Sequence, residues 1–249
     1  MVQSDVRVLT ARAAFKGPGT QVNGLEAVPE GLWVADQQDD RVYLVDYDGK
    51  TLTSFPTPTR NASGISFGGG WVWVASNVRP SMVYRHDPKT GHCTAGLHLP
   101  NAMEGGVHGL QWRPYEPGEQ PPAPPPSKGE LHPTAPGGKP NAGPGVSGTL
   151  WVTRPGQKVV DHIDAETGEL LGQIAFPAPR SHGVYWDDDN TLCVAETNNG
   201  HVFRLDPKSG TVLDEWQIPG IEVHGMTRSA DGRVWIGDAA TNTISVVEP

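Results

Sequence analysis

Basic residues are in short supply. Nineteen Lys and Arg stand against 28 Asp and Glu, a formal net charge of −9, and no basic cluster offsets the deficit. That balance speaks against nucleic acid or an anionic membrane surface as the partner. Long apolar runs are missing too: none approaches the ~18 residues that span a bilayer, and the opening MVQSDVRVLTARAAF holds no continuous apolar stretch of the secretory kind. The chain is expected to be cytoplasmic. With only two cysteines, Cys93 and Cys193, there is no disulfide framework, and both read as buried thiols within strands. The triplet Asn-Ala-Ser at 61–63 has the form of a glycosylation sequon but carries little weight without a secretion signal.

What the chain does have is one short phrase in five copies: VNGL (22–25), ASGI (62–65), VHGL (107–110), SHGV (181–184) and VHGM (223–226). Each copy opens a strand. A turn follows, then a second strand such as GLWVAD (31–36), GWVWVAS (70–76) or GRVWIGD (232–238), then a third such as RVYLVD (41–46), an Asp-Pro-Lys-Thr-Gly type of turn, and a fourth such as TLTSFP (51–56). The copies are spaced by 40 (23 to 63), 45 (63 to 108), 74 (108 to 182) and 42 (182 to 224) residues. Four short antiparallel strands at a period near 40 mark β-propeller blades. The expected fold is therefore all-β, a single domain over 1–249 of five four-stranded blades. The last repeat ends after its third strand, and VRVLTARAAF (6–15) is a strand without a blade, so the N-terminal strand should close the ring and cover an open edge.

The long interval holds an insertion, 113–148, with eleven of the chain's 24 prolines. Its composition supports no core of its own and favours extended conformations. Lying between the first and second strands of blade 3, it belongs on the face opposite the repeated phrase and is expected to serve as an oligomer contact or packed arm.

Equivalent positions of a propeller point in equivalent directions, so Asn23, Ser63, His108, His182 and His224 should ring one mouth of the channel. Three imidazoles converging from adjacent blades can hold a divalent metal and leave coordination positions open. Zinc is expected first, with manganese, magnesium or iron as alternatives. Second strands run back to the same mouth and end at Asp36, Ser76, Arg154, Glu196 and Asp238. Glu196 and Asp238 are the candidate general bases, Arg154 a candidate anchor for a substrate anion, and Asn23, Asp36 and Ser63 further substrate-binding candidates. Trp33, Trp73, Trp151 and Trp235 recur at one second-strand position and read as core between blades. His86, His92, His98, His132, His162 and His201 lie outside the repeated slot and read as strand or surface residues.

The repeat, in its forms GLEAVPEGLWVAD and GMTRSADGRVWIGD, resembles the virginiamycin B lyase family and the wider gluconolactonase-like propellers. That resemblance implies metal ligands at the start of inner strands, where Asn23, His108, His182 and His224 fall. Peptidyl-hydroxyglycine amidating lyases are similar in holding a metal with three propeller histidines. This chain is shorter than usual members and has histidine where the gluconolactonase-like group favours carboxylate and Asn. The expected function is a metal-dependent enzyme acting on a small molecule: a lyase eliminating across a C–O bond, or a lactonase or esterase. A redox metal centre and a non-catalytic scaffold for a protein partner are the other readings.

Overall fold

A computed structural model describes residues 6–119 and 147–248. Residues 120–146, most of the Pro-rich insertion with its expected contact role, lie outside the described part. The described chain opens with β1 (Arg7–Val8) and β2 (Thr10–Lys16). Blade 1 follows as β3 (Val22–Val28), β4 (Gly31–Asp36), β5 (Arg41–Val45) and β6 (Thr51–Pro56). Blade 2 is β7 (Ala62–Gly68), β8 (Trp71–Ser76), β9 (Met82–His86) and β10 (Cys93–His98). In blade 3, β11 (Leu110–Arg113) and β12 (Thr149–Arg154) flank the insertion, ahead of β13 (Val159–Asp164) and β14 (Leu170–Ala175). Blade 4 is β15 (Ser181–Trp186), β16 (Leu192–Glu196), β17 (His201–Leu205) and β18 (Val212–Gln217), and blade 5 is β19 (Val223–Arg228), β20 (Val234–Asp238) and β21 (Thr243–Glu248).

Every blade is an antiparallel meander, and blade 5 takes β2 as its fourth strand, in the order β19-β20-β21-β2. The five-bladed propeller with N-terminal closure is thus the architecture. One detail goes beyond the expectation. The N-terminal strand is split, and β1 pairs in parallel with β18 of blade 4, where Leu9 N–H also donates to Gln217 O at 2.8 Å. The first ten described residues therefore bridge two blades and cover both of their outer edges.

Five apolar clusters, one per blade interface, take the place of a single core. Trp33 packs with Ile65 and Val74 between blades 1 and 2, Trp73 with Leu110 and Leu150 between 2 and 3, Trp151 with Val184 and Phe203 between 3 and 4, and Trp235 with Leu25 and Val34 between 5 and 1. In blade 4 the tryptophan position is Cys193, and Tyr185 and Trp216 fill the volume instead. Second strands are buried along all or nearly all of their length, while fourth strands are largely exposed. This gradient explains why the apolar signal is strongest in GLWVAD and its counterparts. Cys193 is buried and Cys93 half-buried. His86, expected among strand or surface residues, is fully buried and stacks on Phe55.

Third and fourth strands are joined by turns that explain the Asp-Pro-Lys-Thr-Gly motif. In blade 2, Asp87 Oδ1 accepts the backbone N–H groups of Lys89 and Thr90 at 2.8 and 2.9 Å, and Gly91 adopts φ 71°, a conformation that an L side chain resists. Asp206, Ser209 and Gly210 repeat the arrangement in blade 4.

The glycine of the repeated phrase has a different task. Inner strands carry a bulge beside it and crowd together at the axis. A Cβ on Gly109 would overlap the carbonyl oxygen of His182, and one on Gly64 that of His108. Five strands can meet around so narrow a channel only if each presents no side chain to the next one's backbone.

Candidate functional site

His182 and His224 lie on the inner strands of blades 4 and 5, His108 stands two residues ahead of β11 in blade 3, and the three meet at one mouth of the channel. Their ring centroids lie 3.9 Å (His108–His182), 4.3 Å (His182–His224) and 6.5 Å (His108–His224) apart. His182 and His224 are buried and His108 is half-buried. Burial, with the neighbouring rings and the Arg180 guanidinium, pushes His108 down to about 3 and His182 well below the usual imidazole range. Three imidazoles this close cannot all carry charge away from water. Burial lowers His224 as well, but a hydrogen bond and the charge of Glu222 oppose it.

The ring nitrogens divide the labour. His182 Nδ1 lies 2.9 Å from Arg180 O, which can only accept, so Nδ1 carries the hydrogen and Nε2 the lone pair. Nε2 has no protein partner among the described residues. His224 faces acceptors on both sides: Glu222 Oε1 at 3.4 Å from Nε2, and Asn23 Oδ1 at 3.4 Å from Nδ1. A neutral ring can satisfy only one of them, whereas a protonated ring satisfies both. Asn23 Nδ2 and His108 Nδ1 are buried without a hydrogen-bond partner.

Glu222 and Arg180 were not foreseen. Glu222 Oε1 also receives Arg180 Nη2 at 3.3 Å, so one carboxylate links the guanidinium to His224. A signal was present in the sequence. Each residue stands two positions before a slot histidine, and period-2 geometry returns such a residue to the same face.

The remaining candidates sit at the same mouth, but their polar atoms are engaged. Glu196 accepts the N–H groups of Asn198 and Asn199 at 3.1 and 3.0 Å, and Asp238 those of Ala240 and Glu222 together with the Thr241 hydroxyl. Asp36 does the same for Gln38, Asp39 and Gln21. These carboxylates cap hairpin turns. Ser63 Oγ donates to Val107 O at 2.8 Å, tying blade 2 to blade 3. Arg154 is buried, with its guanidinium on the carbonyls of Pro100 and Asn101 and on Asp161, and so is not open to a substrate anion.

The metal reading needs a ligand set, and the donors do not form one as they stand. Among the described residues, no group of three or more His, Cys, Asp or Glu side chains is arranged to hold a metal ion. His224 turns Nε2 toward Glu222 and Nδ1 toward Asn23, so both of its nitrogens have protein partners.

Beside the histidines the channel narrows to a cavity of about 10 Å³, room for roughly one water, lined by Asn23, His224 and the repeat glycines with Leu25, Ile65, Leu110, Val184 and Met226. About three residues further along the inner strands, ~10 Å at strand rise, a second polar group appears. Gln111 Nε2 donates to Glu26 Oε2 at 2.9 Å and to Ser66 Oγ at 3.2 Å, joining blades 1, 2 and 3. Burial raises Glu26 to about 8. A groove of about 980 Å³ opens on this opposite face between blades 3 and 4, lined by Arg113, Trp151, His162, Trp186 and Lys208 among others. The three histidines and this groove thus lie on opposite faces. The histidine mouth, where three imidazoles, a carboxylate and a guanidinium meet, is the candidate site.

No family model and no curated protein matches the sequence. Solved structures do match in fold. Glutaminyl cyclase of Myxococcus xanthus superposes with a TM-score of 0.71 at 10% identity, covering 98% of each chain. Virginiamycin B lyase from Staphylococcus aureus gives 0.53 at 18% identity, covering 96% of this chain and 70% of that one. A catalytically inactive histidine-to-alanine form of that lyase with quinupristin gives 0.52 at 16% identity, over 96% and 70%. The chain therefore has a β-propeller fold shared with virginiamycin B lyase and with other enzymes. At these identities the likeness extends to the fold alone. Among the described residues, no helix is long and apolar enough to cross a membrane.

Proposed function

We propose that the chain is an enzyme acting on a small molecule at the histidine mouth, in the first place a lyase that eliminates across a C–O bond. The observation that carries this reading is the unequal environment of two adjacent imidazoles. His182 is held neutral with its lone pair on Nε2, while His224, although burial lowers it as well, has acceptors on both sides and the charge of Glu222 beside it, and so holds a proton more readily than its neighbour. Two adjacent imidazoles that differ in this way can serve as base and acid.

In the elimination, His182 Nε2 takes the proton from the carbon beside an activating carbonyl. The C–H electron pair becomes the new C=C bond, and the C–O bond breaks with its pair on oxygen. His224 then gives that oxygen a proton, and Glu222 holds the imidazolium until transfer. Transfer of the proton from His182 to His224, whose rings are 4.3 Å apart, restores the starting state. The same pair activates water against a lactone or ester, which makes hydrolysis the runner-up. That solved lyases share the fold and that one is inactive as a histidine-to-alanine form supports the direction of the reading.

A second reading keeps His108, His182 and His224 as ligands of a divalent ion, zinc first. The convergence of three uncharged imidazoles favours it, although His224 would have to leave Glu222. Calorimetric titration with zinc separates the two: one tight site abolished by His182→Gln supports the metal reading, and millimolar-only binding opposes it. The acid–base reading is tested by kinetics on elimination and lactone substrates. Glu222→Gln should lower kcat by ~10²-fold or more, whereas Glu196→Gln should lower the melting temperature and leave kcat of the folded protein within a few-fold. Equal rates for Glu222→Gln and the parent would sink it.

A further inference from the structure

Arg180 holds the histidine mouth together in an unusual way. Its backbone carbonyl fixes the tautomer of His182, and its guanidinium reaches the carboxylate that serves His224. The guanidinium itself is loosely committed. Nη1 is well bonded, to Asn198 Oδ1 at 2.8 Å. Along the other edge, Nε has no partner among the described residues and Nη2 has only Glu222 at 3.3 Å, long for a charge-assisted pair. Both side chains are exposed, 46% and 36%, and an ion pair that open to water contributes little. That edge, Nε with Nη2, is the fork that matches a carboxylate in bidentate fashion.

We infer that Arg180 is the substrate anchor of this mouth and that the substrate carries a carboxylate, which takes the guanidinium fork in place of Glu222. The inference rests on the reading of this mouth as the substrate site. Donors are in excess here: besides the fork, Asn23, itself 2% exposed, holds a buried amide N–H group without a partner. A site with spare donors is completed by acceptor oxygens. On a chain of net charge −9 an anion is held only where a cation is placed for it, and with one guanidinium a monoanionic carboxylate is better matched than a phosphate dianion. Exchange leaves Glu222 wholly on His224, so binding the substrate strengthens the contact of the acid with its carboxylate. Arg180 is thus a binding and positioning residue, not a proton carrier.

The experiment uses the full chain and follows the histidine ring signals by NMR at pH 7 and low salt, with sodium acetate and inorganic phosphate as probes. Acetate should shift the signals of His182 and His224 saturably, with a dissociation constant on the order of 1–10 mM, the range of a single charge-assisted pair. Arg180→Gln should weaken acetate by tenfold or more without changing the melting temperature. Arg180→Lys, which keeps charge and loses the fork, should fall between. Arg12→Gln, a remote exposed arginine, controls for net charge and should bind as the parent does. Acetate that moves no histidine signal, an equal loss in Arg12→Gln, or phosphate binding ten times more tightly than acetate each overturns the assignment. Acetate binding at Arg180 with no kinetic effect of Glu222→Gln would sink the catalytic reading and leave the anchor standing. The reverse pattern would sink the anchor alone.

Discussion

Replacing Glu26 by Gln should make the ring more stable at pH 8 and flatten its dependence on pH. Glu26 sits on β3 and is 8% exposed. Loss of water raises its carboxyl from 4.5 to about 8, against the lowering effect of bonds from Gln111 and the Phe67 backbone. A carboxyl whose folded-state pKa is raised contributes stability that is complete below about 4.5 and is lost as pH rises toward about 8, because the unfolded chain ionises freely while the folded one cannot. At ~1.4 kcal/mol per pH unit the full swing approaches 5 kcal/mol, an upper figure since buried sites relax. Gln keeps the shape and the acceptor for Gln111 and removes the ionisation. Urea unfolding of parent and Glu26→Gln at pH 5, 6, 7 and 8 gives the difference directly, and the shifted histidines, common to both proteins, cancel. The variant should gain at least 2 kcal/mol over the parent between pH 5 and pH 8, a conservative fraction of that swing. A difference constant within about 0.5 kcal/mol across the range, on the order of the smallest effect such comparisons resolve, would refute the argument that this carboxyl is buried without charge compensation.

Two further outcomes test the ring itself. Gly109→Ala places a methyl group against the His182 carbonyl and should cost roughly 1–3 kcal/mol in urea unfolding; an unchanged midpoint would mean that the inner strands have room. Removing residues 1–16 strips blade 5 of β2 and blade 4 of β1, and should abolish a single cooperative melting transition. A truncated chain that melts like the parent would contradict closure by this segment.

Much of this fold was legible because it is written five times. The period, the recurring tryptophans and the unfinished last repeat suffice to place blades and closure, since each is a consequence of burial that repeats with the strand. The pairing of β1 with β18 was not legible, because a two-residue parallel contact is made by backbone groups that any side chains could carry. In the site, the convergence of the three histidines followed from their equivalent positions. The roles given to Asp36, Glu196 and Asp238 did not take account of the Gln-Gln-Asp, Thr-Asn-Asn-Gly and Ala-Ala-Thr-Asn stretches that follow them, in which a strand-end carboxylate caps the turn. Arg154 looked like an anion anchor only because its partners, the carbonyls of Pro100 and Asn101, are distant in sequence. Glu26 was passed over because its acceptor role depends on Gln111, two blades away.

The central claim is that reaction takes place at the histidine mouth and not in the larger groove on the opposite face. The most direct measurement takes one substrate found by screening and compares turnover in His182→Gln, His224→Gln and Trp186→Leu, the last altering the wall of the 980 Å³ groove. Each histidine variant should lose ~10²–10⁴-fold in kcat while remaining folded, and Trp186→Leu should stay within a few-fold of the parent. Turnover that survives both histidine replacements and disappears with Trp186→Leu would place the reaction on the other face and contradict the account.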